Sequence, residues 1–145
     1  MRYWLPVLAW MLLIFSASTD LLSSQRTSRF IGPFLRWLIP DITDTAVRQV
    51  QFVVRKAGHT FEYAVLAVLV WRALRKPQKN DPRPWSWRVA ATAVLFCFLY
   101  AMTDEFHQTF VQSRFASVWD VLIDTFGGAL GMGTLWKVGR GRSWW

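Results

Sequence analysis

Apolar residues along the chain gather into four runs, at about residues 3–18, 57–74, 87–103 and 118–138, separated by stretches rich in Arg, Lys, Pro and Ser. Each run approaches the roughly 17–25 residues that a helix needs to cross a hydrocarbon core. Val89–Met102 carries no charge and no strand-like alternation, which predicts a helix surrounded by apolar groups. The expected fold is an all-α membrane protein, a four-transmembrane-helix bundle forming a single domain over residues 1–145. Trp85, Trp87, Trp119, Trp136, Trp144 and Trp145 fall at the ends of the runs, as an interfacial aromatic belt requires.

The first run has a second reading. Arg2, the apolar stretch Trp4–Phe15 and the small residues Ser16-Ala17-Ser18 also fit a signal peptide cleaved near Thr19. Between the first and second runs, Arg29–Ile39 sets Phe30, Phe34, Leu35, Trp37 and Leu38 against Arg29 and Arg36 and stops at Pro40. This pattern predicts an amphipathic interfacial helix between spans one and two. A new helix start follows at Asp41 or Thr43 with Asp44 in its first turn, and it either runs straight into the second span or bends near Gly58. Arg75–Trp85, with three prolines and no helical period, reads as a solvated basic connector.

Charge fixes an orientation. Arg2, the Arg72–Arg88 cluster and Lys137, Arg140 and Arg142 fall on one side, while Arg26, Arg29, Arg36, Arg48, Arg55, Lys56 and Arg114 share the other with Asp104 and Glu105. The positive-inside bias places both termini in the cytoplasm, and the protein as a multi-pass component of the cytoplasmic membrane. The net charge of +8 and pI near 10.6 are then topogenic and attract lipid headgroups, and no nucleic-acid motif competes with that reading. Cys97, the one cysteine, excludes an intrachain disulfide.

Against this apolar background His59, Glu62, His107, Asp120 and Asp124 stand out, because an ionisable group in hydrocarbon costs at least about 2.5–3.5 kcal/mol on insertion scales. The topology places all of them, with Asp104, Glu105 and Gln108, in the outer leaflet. Helical phase pairs His59 with Glu62, Asp104 with His107, Glu105 with Gln108 and Asp120 with Asp124. The Asp120–Asp124 stripe continues through Gly127 and Gly131, so these acids face a closely approaching helix, and Gly127-x-x-x-Gly131 is expected to pack within the chain. Arg114, just before the fourth span, is the expected counter-charge.

The ordered set Lys56, His59-x-x-Glu62-Tyr63, Asp104-Glu105-x-x-Gln108, Arg114, Asp120-x-x-x-Asp124 and Gly127-Gly128 resembles the VanZ-like family of bacterial membrane proteins over nearly the whole chain. The Phe15–Ser18 and Leu22–Gln25 segments are similar to that family's Phe- and Ser-rich exit from the first span. Thr60 stands where the family usually has Phe, and Gln112–Ala116 replaces its usual Pro-Gly-Arg-x-Gly loop. The resemblance implies a membrane protein acting at the outer face of the cell envelope. The family's founding member is associated with low-level teicoplanin resistance, and its members are proposed to reduce glycopeptide or lipoglycopeptide action.

Four readings of the polar set stay open. It holds the helices in register; or it is an intramembrane acid–base centre in which surplus clustered acids leave one protonated beside ionised neighbours, acting on a lipid-linked envelope substrate. In that case Glu62, Asp120, Asp124, His59, Asp104 and Glu105 are the catalytic candidates, and Lys56, Gln108 and Arg114 contact substrate. It chelates a metal through His59, Glu62, His107 and the clustered acids; or basic residues hold an anionic lipid or lipid-linked precursor without chemistry. Neither a cofactor nor a fuller metal-ligand motif is recognisable, and membrane lipids are the expected partners.

Overall fold

The computed structural model describes residues 2–18, 24–77, 83–110 and 117–142, and among them there are helices and no strand. Five helices follow in order: α1 (Leu5–Ser18), α2 (Ser24–Leu38), α3 (Asp44–Arg75), α4 (Trp87–Gln108) and α5 (Val118–Gly141).

Local chemistry accounts for their ends. Thr43 caps α3 by accepting the Ala46 N–H at 3.3 Å, and α3 closes on Lys76, whose φ of 48° is the left-handed cap conformation, just before Pro77. Ser86 caps α4 through the Val89 N–H. α2 begins earlier than the amphipathic pattern predicts and carries Pro33 in its interior, where the backbone has no N–H to offer Arg29. α3 runs unbroken through Gly58, whose missing side chain faces open space, so nothing there demands a bend.

Among the described residues, α4 alone of the four expected spans has both the length and the composition of one, with 22 residues at a mean hydropathy of 1.5. The others fall short for identifiable reasons. α1 is apolar but has 14 residues, about 21 Å of helix. α3 is interrupted by Arg55, Lys56, His59 and Glu62, and α5 is diluted by Asp120, Asp124 and its glycines.

The helices pack around small residues. Ala67 and Ala73 of α3, Ala90, Ala93, Cys97 and Ala101 of α4 and Gly127, Gly128 and Gly131 of α5 are buried, joined by Val7 and Ile14 of α1 and by Tyr63, Leu66 and Val70. Specific contacts give the directions. Trp4 meets Phe96, the Met11 carbonyl accepts from Tyr100, and Ser18 meets Asp104, so α1 and α4 run parallel. Trp10 Nε1 donates to the Glu62 carbonyl and the Tyr3 hydroxyl to that of Pro77, which makes α1 antiparallel to α3.

α2 lies on the first turns of α3, where Gly32 faces Val47 and Gln51. Its Phe30, Phe34, Trp37 and Leu38 are left exposed, as are Leu12, Phe61, Leu95 and Phe126 on the bundle's outer faces. Trp71, Trp85, Trp87 and Trp136 touch in sequence at one end, with ring centroids 5.5 to 5.7 Å apart. There Arg75 departs from its expected solvated role: it is buried over the Trp71 ring, and its guanidinium donates to the carbonyls of Pro84 and Arg83. This fork ties the two ends of the connector together.

Candidate functional site

The candidate residues lie at the opposite end from the tryptophan cluster, on two seams, one between α3 and α5 and one between α1 and α4. Along the α3–α5 seam the contacts form successive rungs. Lys56 Nζ forms an ion pair with Asp120 Oδ1, and His59 Nδ1 stands 3.8 Å from Asp124 Oδ1. Further along, Gly127 faces the Thr60 backbone and Gly131 the Ala64 backbone. Because both partners advance together, α3 and α5 are parallel. The glycines set the register: a Cβ at either would lie 2.9 Å from the Cα opposite, so only hydrogen lets the backbones come this close. One turn earlier, that approach carries the short Asp side chains within reach of Lys56 and His59.

The rungs differ in kind. Lys56 and Asp120 keep 19% and 27% of their side-chain surface, so this pair sits at a mouth, whereas Asp124 keeps 2%. At 3.8 Å, His59 and Asp124 are beyond hydrogen-bond distance. The second Asp124 oxygen, Oδ2, is buried with no hydrogen-bond partner among the described residues.

The second seam joins α1 to α4. The Ser18 hydroxyl donates to Asp104 Oδ2 at 2.6 Å, and Gln108 Nε2 donates to the same oxygen at 3.0 Å, all three side chains being buried. His107 packs its ring on Phe15, centroids 4.3 Å apart, with Nδ1 buried and unpartnered among the described residues. Asp104 and His107 thus share a face towards α1, as their spacing predicts. Gln108, paired by spacing with Glu105, serves Asp104 instead. Glu105 turns to α5, where its Oε2 accepts the Ser117 N–H at 2.8 Å and so takes the place of the missing side-chain cap on that helix.

Tyr63 stands between the seams, fully buried, with its hydroxyl unpartnered among the described residues. Its ring is 6.2 Å from that of Tyr100. Asp104 and Glu105 of α4 and Asp120 and Asp124 of α5 thus lie at the same end of the bundle.

The structure therefore gathers Lys56, His59, Asp104, Glu105, Gln108, Asp120 and Asp124 at one end of the bundle. Glu62 lies at the same level, partly buried, with its carbonyl held by Trp10. Arg114, the expected counter-charge, and the proposed cleavage point near Thr19 lie outside the described residues. Among the described residues no three His, Cys, Asp or Glu side chains converge as a metal-binding group.

Three participants escape a spacing argument. Ser18 carries a visible signal, its place in the small-residue triplet, but that signal points to cleavage. Tyr63 sits in the His-x-x-Glu-Tyr motif yet reads as core, and Ser117 acts only through its backbone.

Fold and site together define an all-helical protein with a buried, acid-rich polar network at one end of a glycine-sealed helix pair. Residues 3–139 match the family model described as VanZ/LLP1. The chain belongs to that family. No curated protein and no solved structure matches it.

Proposed function

We propose that the protein is a four-span component of the bacterial cytoplasmic membrane, with both termini in the cytoplasm, and that its buried acid network works on the outer leaflet as a proton-transfer centre for a lipid-linked envelope substrate. A lowered susceptibility to glycopeptide or lipoglycopeptide antibiotics would follow from the altered envelope. The topology is supported by the alternating helix directions, by the large apolar side chains exposed on the outer faces, and by the tryptophan cluster lying at the end away from the acids.

One observation carries the chemical reading: Asp124 is almost fully buried, its Oδ2 has no hydrogen-bond partner among the described residues, and His59 Nδ1 stands 3.8 Å from its Oδ1. An acid retained only to lock helices would be expected to be saturated, because an unsatisfied buried group costs about 1–3 kcal/mol. A proton-transfer pair can be loose without ligand and tighten when substrate arrives. In this reading Asp124 and His59 exchange the proton, Lys56 and Asp120 guard the mouth, and the Ser18–Asp104–Gln108 set holds α4 in place.

The Lys56–Asp120 pair, lying on the same seam as the glycine rungs, favours a second reading, a register clamp without chemistry. Asp124→Asn separates the two. It preserves shape and removes the titrating proton, so glycopeptide susceptibility should revert to that of cells lacking the protein while the amount and melting temperature of the protein stay unchanged. Loss of folded protein, with residual protein still active, would favour the clamp.

A further inference from the structure

Two apolar grooves flank α5. One, between α4 and α5, runs from Thr125, next to Asp124, past Ala129 and Met132 to Trp87, and has no cationic residue in its lining. The other, about 660 Å³ between α3 and α5, starts at Ala57 and Thr60, in the same turn as Lys56 and His59, and continues past Ala64, Val68 and Leu130 to Leu69 and Val138. From Ala57 to Leu69 it runs about 18 Å, close to the depth of one leaflet of a hydrocarbon core about 30 Å thick.

We propose that this α3–α5 groove seats one hydrocarbon tail of a phosphate-bearing envelope lipid, with the phosphate at Arg55 and Lys56 and the polar group beyond it delivered to His59 and Asp124. The assignment rests on the reading of the site as one that acts on a lipid-linked substrate.

Three features favour a tail over a second copy of the chain. The floor is made of small residues, Ala57, Ala64 and Gly131, which leave a channel rather than a flat helix face. Of its two threonines, Thr60 is turned back to its own helix, its hydroxyl donating to the Lys56 carbonyl at 2.9 Å. The groove also spans about one leaflet, whereas a helix of a second copy would be served by a seam crossing the full bilayer. At the mouth, Arg55 and Lys56 lie against the Phe52 ring at 5.7 and 5.4 Å; Lys56 is also paired with Asp120, so among the described residues Arg55 supplies the uncompensated charge of the two where a lipid phosphate would arrive.

The test uses the full-length protein in phosphatidylglycerol vesicles doped with phosphatidylglycerol bearing a mid-chain diazirine. Photolabelling should concentrate on the segments 64–69 and 130–138. Thr134→Trp, which fills the groove from its exposed wall, should remove most of that label, and Leu95→Trp beside the other groove should not. Asp124→Asn should keep the label while abolishing the cellular phenotype.

Label spread evenly over Leu95, Leu99 and Leu130, or protein-to-protein crosslinks along the seam, would overturn the proposal. Loss of label in Thr134→Trp with an intact phenotype would also overturn it and leave the acid-centre reading standing. Label in the groove with no Asp124-dependent phenotype would instead leave the groove standing and remove the acid centre.

Discussion

The glycine rungs between α3 and α5 make the sharpest mechanical prediction. A methyl group at Gly131 would sit 2.9 Å from Ala64 Cα and 3.0 Å from its carbonyl carbon, both backbone atoms that cannot rotate away. Carbon–carbon contacts are comfortable at about 3.5–4.0 Å, so relief requires α5 to retreat from α3 by the better part of an ångström. Gly131→Ala should therefore destabilise by about 1–3 kcal/mol, the usual cost of overpacking.

Gly133, two positions along the same helix, has nothing within 4 Å of where its Cβ would stand. There the same substitution should be neutral or stabilise by up to about 1 kcal/mol, because alanine favours the helix. Gly127→Ala, against the Thr60 backbone, should resemble Gly131→Ala. The double variant should cost less than the sum of the two, since a single retreat of α5 relieves both clashes. Equilibrium unfolding in mixed micelles, with all four variants on one scale, provides the comparison. If Gly131→Ala were as harmless as Gly133→Ala, the close seam, and the register it imposes on Asp120 and Asp124, would be wrong.

Two further predictions concern other parts of the fold. Ser18→Ala removes the hydroxyl that donates to Asp104 at 2.6 Å and should cost about 1–3 kcal/mol for the buried acceptor left short of a donor, visible as a lower melting temperature; an unchanged melting temperature would detach α1 from the site. A reporter fused to the C-terminus should register as cytoplasmic, and activity outside the cytoplasmic membrane would reverse the whole topology.

Much of this arrangement is legible along the chain, for reasons that differ from element to element. α4 announces itself because an uncharged run of that length has few alternatives. The Gly127–Gly131 stripe is legible because two small residues four apart on an acid-bearing face have one obvious use. The co-location of the acids follows from alternating helix directions alone.

Partner choice is harder to read. Helix phase says that Asp104 and His107 share a side of α4, but not that Gln108 joins them or that Ser18 of α1 waits there, since the register between helices is decided by packing remote in sequence. Arg75 was hidden for a similar reason: a basic residue beside a Pro-rich connector reads as solvated until the carbonyls of Arg83 and Pro84 fold back onto it. Tyr63 was hidden by its chemistry, half apolar ring and half hydroxyl, which fits a core and a polar network equally well.

The central claim is that Asp124 is kept for its proton and not for its shape. The most direct measurement is the chemical composition of envelope lipids from cells making the wild-type protein, cells making equal amounts of Asp124→Asn, and cells making neither. A lipid species whose structure changes with the wild-type protein alone, with the Asn form matching the empty cells, is the predicted result. Identical lipids in all three, or a change that the Asn form reproduces in full, would contradict it.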